Sequence, residues 1–311
     1  MTNLAFVFPG QGSQSVGMMT TWDEHQALVD NVFHEASEAL SYDLKNLIAT
    51  GPAEKLNQTE ITQPAMLASG VAAFRVWQSL SLPSASVYAG HSLGEYTALV
   101  CANSLKFDDA IKLVAERGRL MQSAVADGEG AMAAIIGLDD ADVVKACSQV
   151  EQGVVSAVNF NSPGQVVIAG NKASVEAAMV NAKDLGAKRA LPLPVSVPSH
   201  CALMQAAADQ LAQTLQDVEV QMPDVKVLHN QNASVASTAD EIRELLRLQL
   251  FQPVLWVDCV NAMHDLQADT LIEFGPGKVL TGLTRRINKS MESLAVFDKN
   301  SLDKTTQTIA E

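Results

Sequence analysis

The segment that most restricts the possible folds of this chain is residues 90–94, which read Gly-His-Ser-Leu-Gly. They lie between a short β-favouring run, residues 85–89, and a long stretch with helical periodicity. A strand that turns sharply into a helix needs glycine on both sides of the central serine, because a Cβ there would clash. The pattern predicts that Ser92 is exposed at the end of a strand, beside helix amide groups that could stabilise an oxyanion. Spacing alone leaves an ordinary strand-to-helix turn equally open.

Length, charge and cysteine usage exclude several classes of protein. The 311 residues suffice for one large domain or two smaller ones. A net charge of −14 and an aromatic content of 5% argue against a nucleic-acid-binding surface. The apolar stretches are too short to span a membrane, and the first residues lack a signal segment, so a cytoplasmic protein is expected. The cysteines form neither a disulfide framework nor a thiolate zinc site: Cys101, Cys147, Cys201 and Cys259.

The order of predicted elements indicates an α/β fold in two parts. Strand and helix patterns alternate over the first third of the chain and again after residue 197, as in a hydrolase-like domain with a mostly parallel sheet. Residues 128–196 instead read β-α-β-β-α-β, the ferredoxin-like order. We therefore predict a large domain, residues 1–127 and 197–311, with a small ferredoxin-like domain inserted between its two parts.

A serine hydroxyl needs a base before it can act as a nucleophile. His200 is the preferred candidate, because it lies where the inserted unit returns to the main domain, and a cleft between two units suits a base. No acidic residue that would orient His200 can be chosen from the sequence, and a backbone carbonyl could serve instead. Each of the other histidines is better explained as structural: His25, His34, His91, His229 and His264.

Two further features have both a structural and a functional interpretation. Arg117 lies in a mostly apolar helical segment, and a surface arginine beside Glu116 and Arg119 is the simpler interpretation. The alternative is a partly buried guanidinium that binds a substrate carboxylate through paired N–H groups. The loop after the first strand, residues 9–14, is glycine-rich but lacks a nucleotide fingerprint. Its backbone could come close to a reacting group, or it could be a plain tight turn.

Five ordered segments together resemble one known family, the malonyl-CoA:acyl-carrier-protein transacylases of bacterial fatty-acid synthesis. The similarity extends from the N-terminal strand to about residue 290. Each segment alone would be a weak signal, whereas five in order are specific. They are residues 8–14 (FPGQGSQ), 90–95 (GHSLGE), 161–170 (beginning NSPGQ), 198–201 (PSHC) and 273–280 (EFGPGKVL).

The resemblance implies a ping-pong reaction in which a serine carries the malonyl group between two thiols. It implies that Ser92 is the acylated residue and His200 the general base and acid. The family's oxyanion hole corresponds to the backbone N–H groups of Gln11 and Leu93, and its carboxylate-binding arginine to Arg117, which reverses the simpler interpretation above. The main-chain carbonyl of Gln249 would orient the histidine.

The resemblance also implies the partners. Malonyl-CoA is the expected donor and an acyl carrier protein, which brings its own phosphopantetheine, the acceptor; no resident cofactor, metal, nucleic acid or membrane is expected. Because the carrier is typically acidic, docking is expected on local basic clusters such as Lys188–Arg189 or Arg285–Arg286 with Lys289. Three alternatives stay open: a serine esterase or thioesterase on a similar scaffold, a non-catalytic module that binds carrier proteins, and an acyltransferase of a polyketide pathway.

Overall fold

The computed structural model describes residues 3–195 and 197–310. The expected domain limit at Ser196 and the chain ends at Thr2 and Glu311 lie outside the described residues. The strands are β1 (Leu4–Phe8), β2 (Val87–Gly90), β3 (Gly130–Ile136), β4 (Val155–Ser162), β5 (Gln165–Asn171), β6 (Arg189–Pro192), β7 (Lys226–Leu228), β8 (Thr270–Phe274) and β9 (Glu292–Val296).

The helices of the described ranges precede, connect and cover these strands. Two 3-10 turns, Asp23–His25 and Ala202–Met204, lead into α1 and α9 respectively. The helices are α1 (Gln26–Leu40), α2 (Leu44–Thr50), α3 (Ala53–Leu56), α4 (Thr59–Ser79), α5 (Gly94–Cys101), α6 (Phe107–Ser123), α7 (Asp140–Ser148), α8 (Lys172–Asp184), α9 (Gln205–Asp217), α10 (Ala239–Gln249), α11 (Trp256–Asp265), α12 (Val279–Ile287) and α13 (Lys299–Ala310).

The larger sheet is parallel throughout and has the strand order β7-β2-β1-β8-β9. Side chains of β1 alternate in size between its two faces. Phe6 and Phe8 point to one face, where they pack with Phe274 and α4, and Ala5 and Val7 point to the other, where Trp256 of α11 packs. Helices thus cover both faces of a parallel sheet, and this confirms the predicted hydrolase-like α/β class.

The smaller sheet is antiparallel, with the order β4-β5-β3-β6. Together with α7 and α8, which share one apolar core with it, this is the ferredoxin-like arrangement predicted from the sequence. The two sheets fall on either side of the predicted domain limits, and the division itself remains our proposal. Two backbone hydrogen bonds join the parts, from Val254 N–H to the Val158 carbonyl and from Phe160 N–H to the Val254 carbonyl, at 2.8 and 3.0 Å.

Candidate active site

Ser92 occupies the sharp turn between β2 and α5 and has a left-handed backbone, with φ of 52°. The two glycines are needed because the turn is packed against itself and against β1. A Cβ on Gly90 would lie 1.8 Å from the carbonyl carbon of Gly94, and a Cβ on Gly94 would lie 2.0 Å from the carbonyl oxygen of Phe8. The predicted strand–turn–helix geometry is therefore confirmed, and its strain is held by the surrounding backbone.

His200 lies directly beside the serine. Its Nε2 is 2.8 Å from Ser92 Oγ, and its Nδ1 is 2.6 Å from the main-chain carbonyl oxygen of Gln249. A carbonyl oxygen can only accept, so Nδ1 carries the proton and donates it, which leaves the Nε2 lone pair facing the serine hydroxyl. The ring is thus oriented by a backbone carbonyl and is arranged to accept the hydroxyl proton.

The surroundings of His200 favour its neutral form. Burial and, after it, the positive charge of Arg117 lower the pKa of the imidazole to about 3, and the hydrogen bond to Gln249 opposes this only in part. The side chain is 3% exposed. A neutral imidazole is the form that can remove a proton from Ser92, so the base is available without a preceding deprotonation.

We expect the acid limb of serine acylation to lie well below that of an ordinary histidine. The rate of acyl-enzyme formation should stay level down to about pH 5, because the imidazole stays neutral there. Rapid-quench measurement of the acylation rate between about pH 4 and 8, a window around the ordinary histidine pKa of about 6.5, tests this. An acid limb near pH 6.5 would contradict the expectation. Folding stability should depend on pH through the same histidine. The unfolded imidazole takes up a proton as the pH falls below about 6.5, whereas the buried one stays neutral, so His200 lowers the free energy of unfolding as the pH falls through this range.

Arg117 is buried, with 1% exposure, so the interpretation as a surface arginine is wrong. Its Nη1 donates to Gln63 Oε1 at 2.8 Å, and its Nη2 donates to Gln249 Oε1 at 3.0 Å and reaches Ser92 Oγ at 3.4 Å. The guanidinium also packs over the ring of Tyr96, 5.4 Å from its centroid. Its polar partners are neutral, so it retains the ability to bind an anionic group close to the serine.

The loop after β1 and the N-terminus of α5 provide backbone donors near the serine. A Cβ on Gly10 would lie 2.6 Å from the carbonyl oxygen of His91, so this loop approaches the serine turn closely. The Gln11 side chain extends towards Thr59, with Nε2 3.4 Å from Oγ1. Among the described residues, no acceptor bonds the backbone N–H of Gln11 or that of Leu93. Both are therefore available to an oxyanion.

A cavity of about 140 Å³ opens in front of Ser92 and is lined by both parts of the chain. The large part contributes the serine, His200, Arg117 and Met121. The small part covers it with apolar side chains, namely Met132, Leu193 and Val195, and with Asn159. The site therefore lies between the two predicted domains, as expected for His200 from the sequence.

Several polar residues around the site were not identified from the sequence. Gln63 lies on α4 and is distant in sequence from every motif, so no local signal could have found it. Asn161 belongs to the motif of residues 161–170, and its Oδ1 lies 2.8 Å from Nε2 of His91, which it holds in place across the two parts. His91 thus has a structural partner, as its interpretation as a structural histidine requires. Asn230 bonds the serine turn at Ser92 N–H and at the Gly90 carbonyl, and Glu95 accepts from the backbone N–H of Asn230.

The fold and the serine–histidine site define an acyl transferase. The family model described as acyl transferase domain matches residues 5–307 of the chain. Curated relatives named malonyl CoA-acyl carrier protein transacylase match nearly the whole chain. The protein from Haemophilus influenzae is 54% identical over 97% of this chain and 98% of its own length. The protein from Bacillus subtilis is 41% identical over 100% and 98%. The chain therefore belongs to the malonyl CoA-acyl carrier protein transacylase family.

Solved structures agree with this assignment. An acyl carrier protein S-malonyltransferase from Vibrio cholerae superposes with a TM-score of 0.95 at 56% identity and covers 98% of this chain and 100% of its own. A malonyl-transacylase solved in complex with its type II polyketide acyl carrier protein superposes with a TM-score of 0.97 at 50% identity, covering 99% and 100%.

Proposed function

We propose that this protein transfers the malonyl group from malonyl-CoA to the phosphopantetheine thiol of an acyl carrier protein, through a malonyl ester of Ser92. The observation that carries the proposal is the position of the serine oxygen, 2.8 Å from His200 Nε2 and 3.4 Å from Arg117 Nη2. A nucleophile between a neutral base and a buried cation suits an acyl group that itself carries a carboxylate.

In the first step, the malonyl carboxylate binds Arg117 and the thioester carbonyl lies against Ser92. His200 accepts the hydroxyl proton at Nε2 as the serine oxygen bonds to the carbonyl carbon. The backbone N–H groups of Gln11 and Leu93 stabilise the oxyanion. The carbon–sulfur bond then breaks, and the proton passes from His200 to the departing sulfur, so that coenzyme A leaves as a thiol.

The second step is the reverse with a different thiol. The phosphopantetheine thiol gives its proton to His200, and its sulfur attacks the ester carbonyl. The bond to Ser92 oxygen breaks, and His200 returns the proton to it. The carbonyl of Gln249 keeps the ring in one tautomer during both steps. This sequence of steps needs no resident cofactor or metal.

Selection of malonyl over acetyl groups follows from the cost of leaving a buried charge unpaired. The carboxylate of the correct substrate pairs with Arg117, whereas an acetyl group leaves the guanidinium with neutral partners only. The small, largely apolar cavity also limits the space for water beside the ester, which favours a thiol acceptor over hydrolysis.

We propose that the carrier docks on exposed basic side chains. Lys188, Arg189, Arg285, Arg286 and Lys289 are exposed. One of them, Arg286, already donates to Gln165 of the small part at 2.6 Å, so it also links the two parts. We propose that these cations attract an acidic carrier against the negative net charge of the chain.

We further propose that the reaction takes place in the cytoplasm and supplies fatty-acid synthesis. All four cysteines are free and buried, as is usual where thiols stay reduced. No helix within the described ranges is long and apolar enough to cross a membrane. Supply of a polyketide pathway is the second candidate, favoured by the 50% identity to a malonyl-transacylase solved with a polyketide carrier. Specificity constants (kcat/KM) measured with carriers from the two pathways separate the candidates.

The proposal is tested by following malonyl-CoA with and without a carrier protein. We expect transfer to the carrier to exceed malonate release severalfold, with the acyl-enzyme accumulating when the carrier is omitted. Fast malonate release with no acceptor-dependent transfer would identify an esterase instead. A protein that binds the carrier but takes no label from radioactive malonyl-CoA would be a non-catalytic binding module.

A further inference from the structure

A buried carboxylate lies directly beneath the serine turn and has no part in the steps above. Glu95, in the first turn of α5, is 0% exposed. Its Oε1 is 2.7 Å from Nδ1 of His229, and its Oε2 accepts from the backbone N–H of Asn230 at 2.9 Å and from Nε2 of Gln249 at 2.8 Å. Both oxygens are thus engaged, and these contacts offset part of the cost of burying the carboxylate.

Gln249 and Asn230, which both donate to Glu95, also form hydrogen bonds with the residues of the reaction site. Gln249 donates also to the carbonyl of Ser92 at 2.9 Å, accepts from Arg117 Nη2 at 3.0 Å, and orients His200 through its main-chain carbonyl. Asn230 accepts from the backbone N–H of Ser92 at 2.6 Å and donates to the carbonyl of Gly90 at 2.7 Å. The left-handed serine is therefore held from below on both its N–H and its carbonyl.

The orientation of these amides is fixed by the chemistry of their neighbours. A carboxylate and a backbone carbonyl can only accept, so the NH₂ of Gln249 must face Glu95 and the Ser92 carbonyl. Its carbonyl oxygen then faces Arg117, whose guanidinium can only donate. One amide group consequently joins the cation to the carboxylate, and it could not be reversed without three unfavourable contacts, with Glu95, the Ser92 carbonyl and Arg117.

This arrangement explains how a buried arginine stays available to a substrate. Burial lowers the pKa of Arg117, and the negative charge of Glu95 acts in the opposite direction. Among the described residues, no carboxylate forms a salt bridge with Arg117. A direct ion pair would occupy the guanidinium, whereas a carboxylate one amide away compensates the charge and leaves donors free.

We propose that Glu95 is a positioning residue for malonyl transfer. Its carboxylate holds Gln249 and Asn230 against the serine turn and, through the amide of Gln249, compensates the positive charge of Arg117. The role rests on the proposed transferase function. It has two separable parts: the hydrogen bonds fix the geometry of Ser92 and His200, and the charge competes with the substrate carboxylate for Arg117. The second part keeps the malonyl group from binding too tightly to be passed on.

Glu95→Gln separates charge from geometry. If His229 changes tautomer, its Nδ1 accepts from the new amide, and the remaining oxygen still accepts from Asn230 and Gln249. The network thus survives without its negative charge. In the Ser92→Ala background, where binding occurs without chemistry, we expect the dissociation constant of malonyl-CoA to fall severalfold and that of acetyl-CoA to stay unchanged. With Ser92 present, turnover of malonyl transfer should fall severalfold, because the malonyl group is then held more tightly in the ground state without a matching gain in the transition state.

The matched control is Glu273→Gln. Glu273 is also 0% exposed and accepts three hydrogen bonds, from Leu280 N–H and from the N–H and hydroxyl of Thr281, but it stabilises the start of α12. This variant should lower the melting temperature and leave both dissociation constants unchanged. In an Arg117→Ala background, the effect of Glu95→Gln on malonyl-CoA binding should disappear, because the two charges are coupled through that arginine.

Weaker malonyl-CoA binding by Glu95→Gln, or equal changes for malonyl-CoA and acetyl-CoA, would overturn the inference, as would unchanged binding and turnover. Should this variant not fold, Glu95→Asp provides a second route. It keeps the charge and shortens the reach, so turnover should fall for both acyl groups while malonyl-CoA binding stays at the wild-type value; tighter binding would overturn the charge role. If the unaltered protein takes no malonyl group at all, the proposed function fails instead.

Discussion

Replacing Ser92 with alanine is expected to abolish the covalent acyl-enzyme and to lower malonyl transfer by roughly 10⁴-fold or more. The alanine methyl group retains the backbone of the turn but removes the oxygen that lies 2.8 Å from His200. Within residues 3–195 and 197–310, no other hydroxyl is hydrogen-bonded to His200 Nε2. Intact-mass measurement after exposure to malonyl-CoA, followed by peptide mapping, tests the expectation.

A serine outside the site provides the control for this experiment. Ser84 is exposed in the loop before β2, at the opposite end of the strand from the turn. Ser84→Ala should acquire one malonyl group at the rate of the unaltered protein. A malonyl adduct on the Ser92→Ala variant would refute the assignment of Ser92 as the nucleophile.

Replacing Arg117 with alanine is expected to weaken malonyl transfer far more than acetyl transfer. The substrate carboxylate would lose a charge-assisted pair in a buried site, at a cost of about 3 kcal/mol or roughly a hundredfold in rate. An acetyl group has no carboxylate, so its transfer should change by less than about tenfold. Rapid-quench rates of acylation with the two thioesters give the ratio directly. Removal of the positive charge should also raise the pKa of His200 and shift the acid limb upward.

Arg119 is the matched control, because it lies two residues further along the same helix. It is exposed and pairs with Glu116 at 2.6 Å, so Arg119→Ala should leave both acyl transfers unchanged. Arg117→Lys keeps the charge without the planar fork and should recover part of the malonyl preference. Equal losses for malonyl and acetyl groups in Arg117→Ala would remove its assignment as the carboxylate-binding residue.

The elements predicted best were those with a strong and local sequence signal. The short apolar runs at residues 4–8 and 270–274, each terminated by a glycine or proline, predict strands, and β1 and β8 begin and end at these residues. Helical periodicity predicts a helix from about residue 64 to 80, with the proline at its start, but α4 begins at Thr59 and continues through Pro64. The elements near the C-terminus, β9 and α13, were not predicted. The strand has only five residues, some of them polar, and it lies at the edge of the sheet.

In the candidate site, too, the features with a local sequence signal were the ones that could be predicted from the residues. The pair of glycines around Ser92 could be interpreted from the sequence, because the clash they avoid lies within one turn and the adjoining strand. The contact between Ser92 and His200 joins residues 108 positions apart, and the choice of His200 depended on its place at a predicted junction and on a family resemblance. The roles of Gln11, Leu93 and Gln249, and the choice between the two interpretations of Arg117, came from that resemblance.

The sequence by itself determined the class of fold, the nucleophile's turn and its two required glycines, because strand and helix patterns and backbone clashes act over a few residues. The buried position of Arg117, the tautomer of His200 and the network around Glu95 became evident only in the folded chain. Hydrogen-bond partners and burial there come from α4, α5, α6 and α10 together, and local patterns carry no record of which distant residue will supply a donor, an acceptor or a charge.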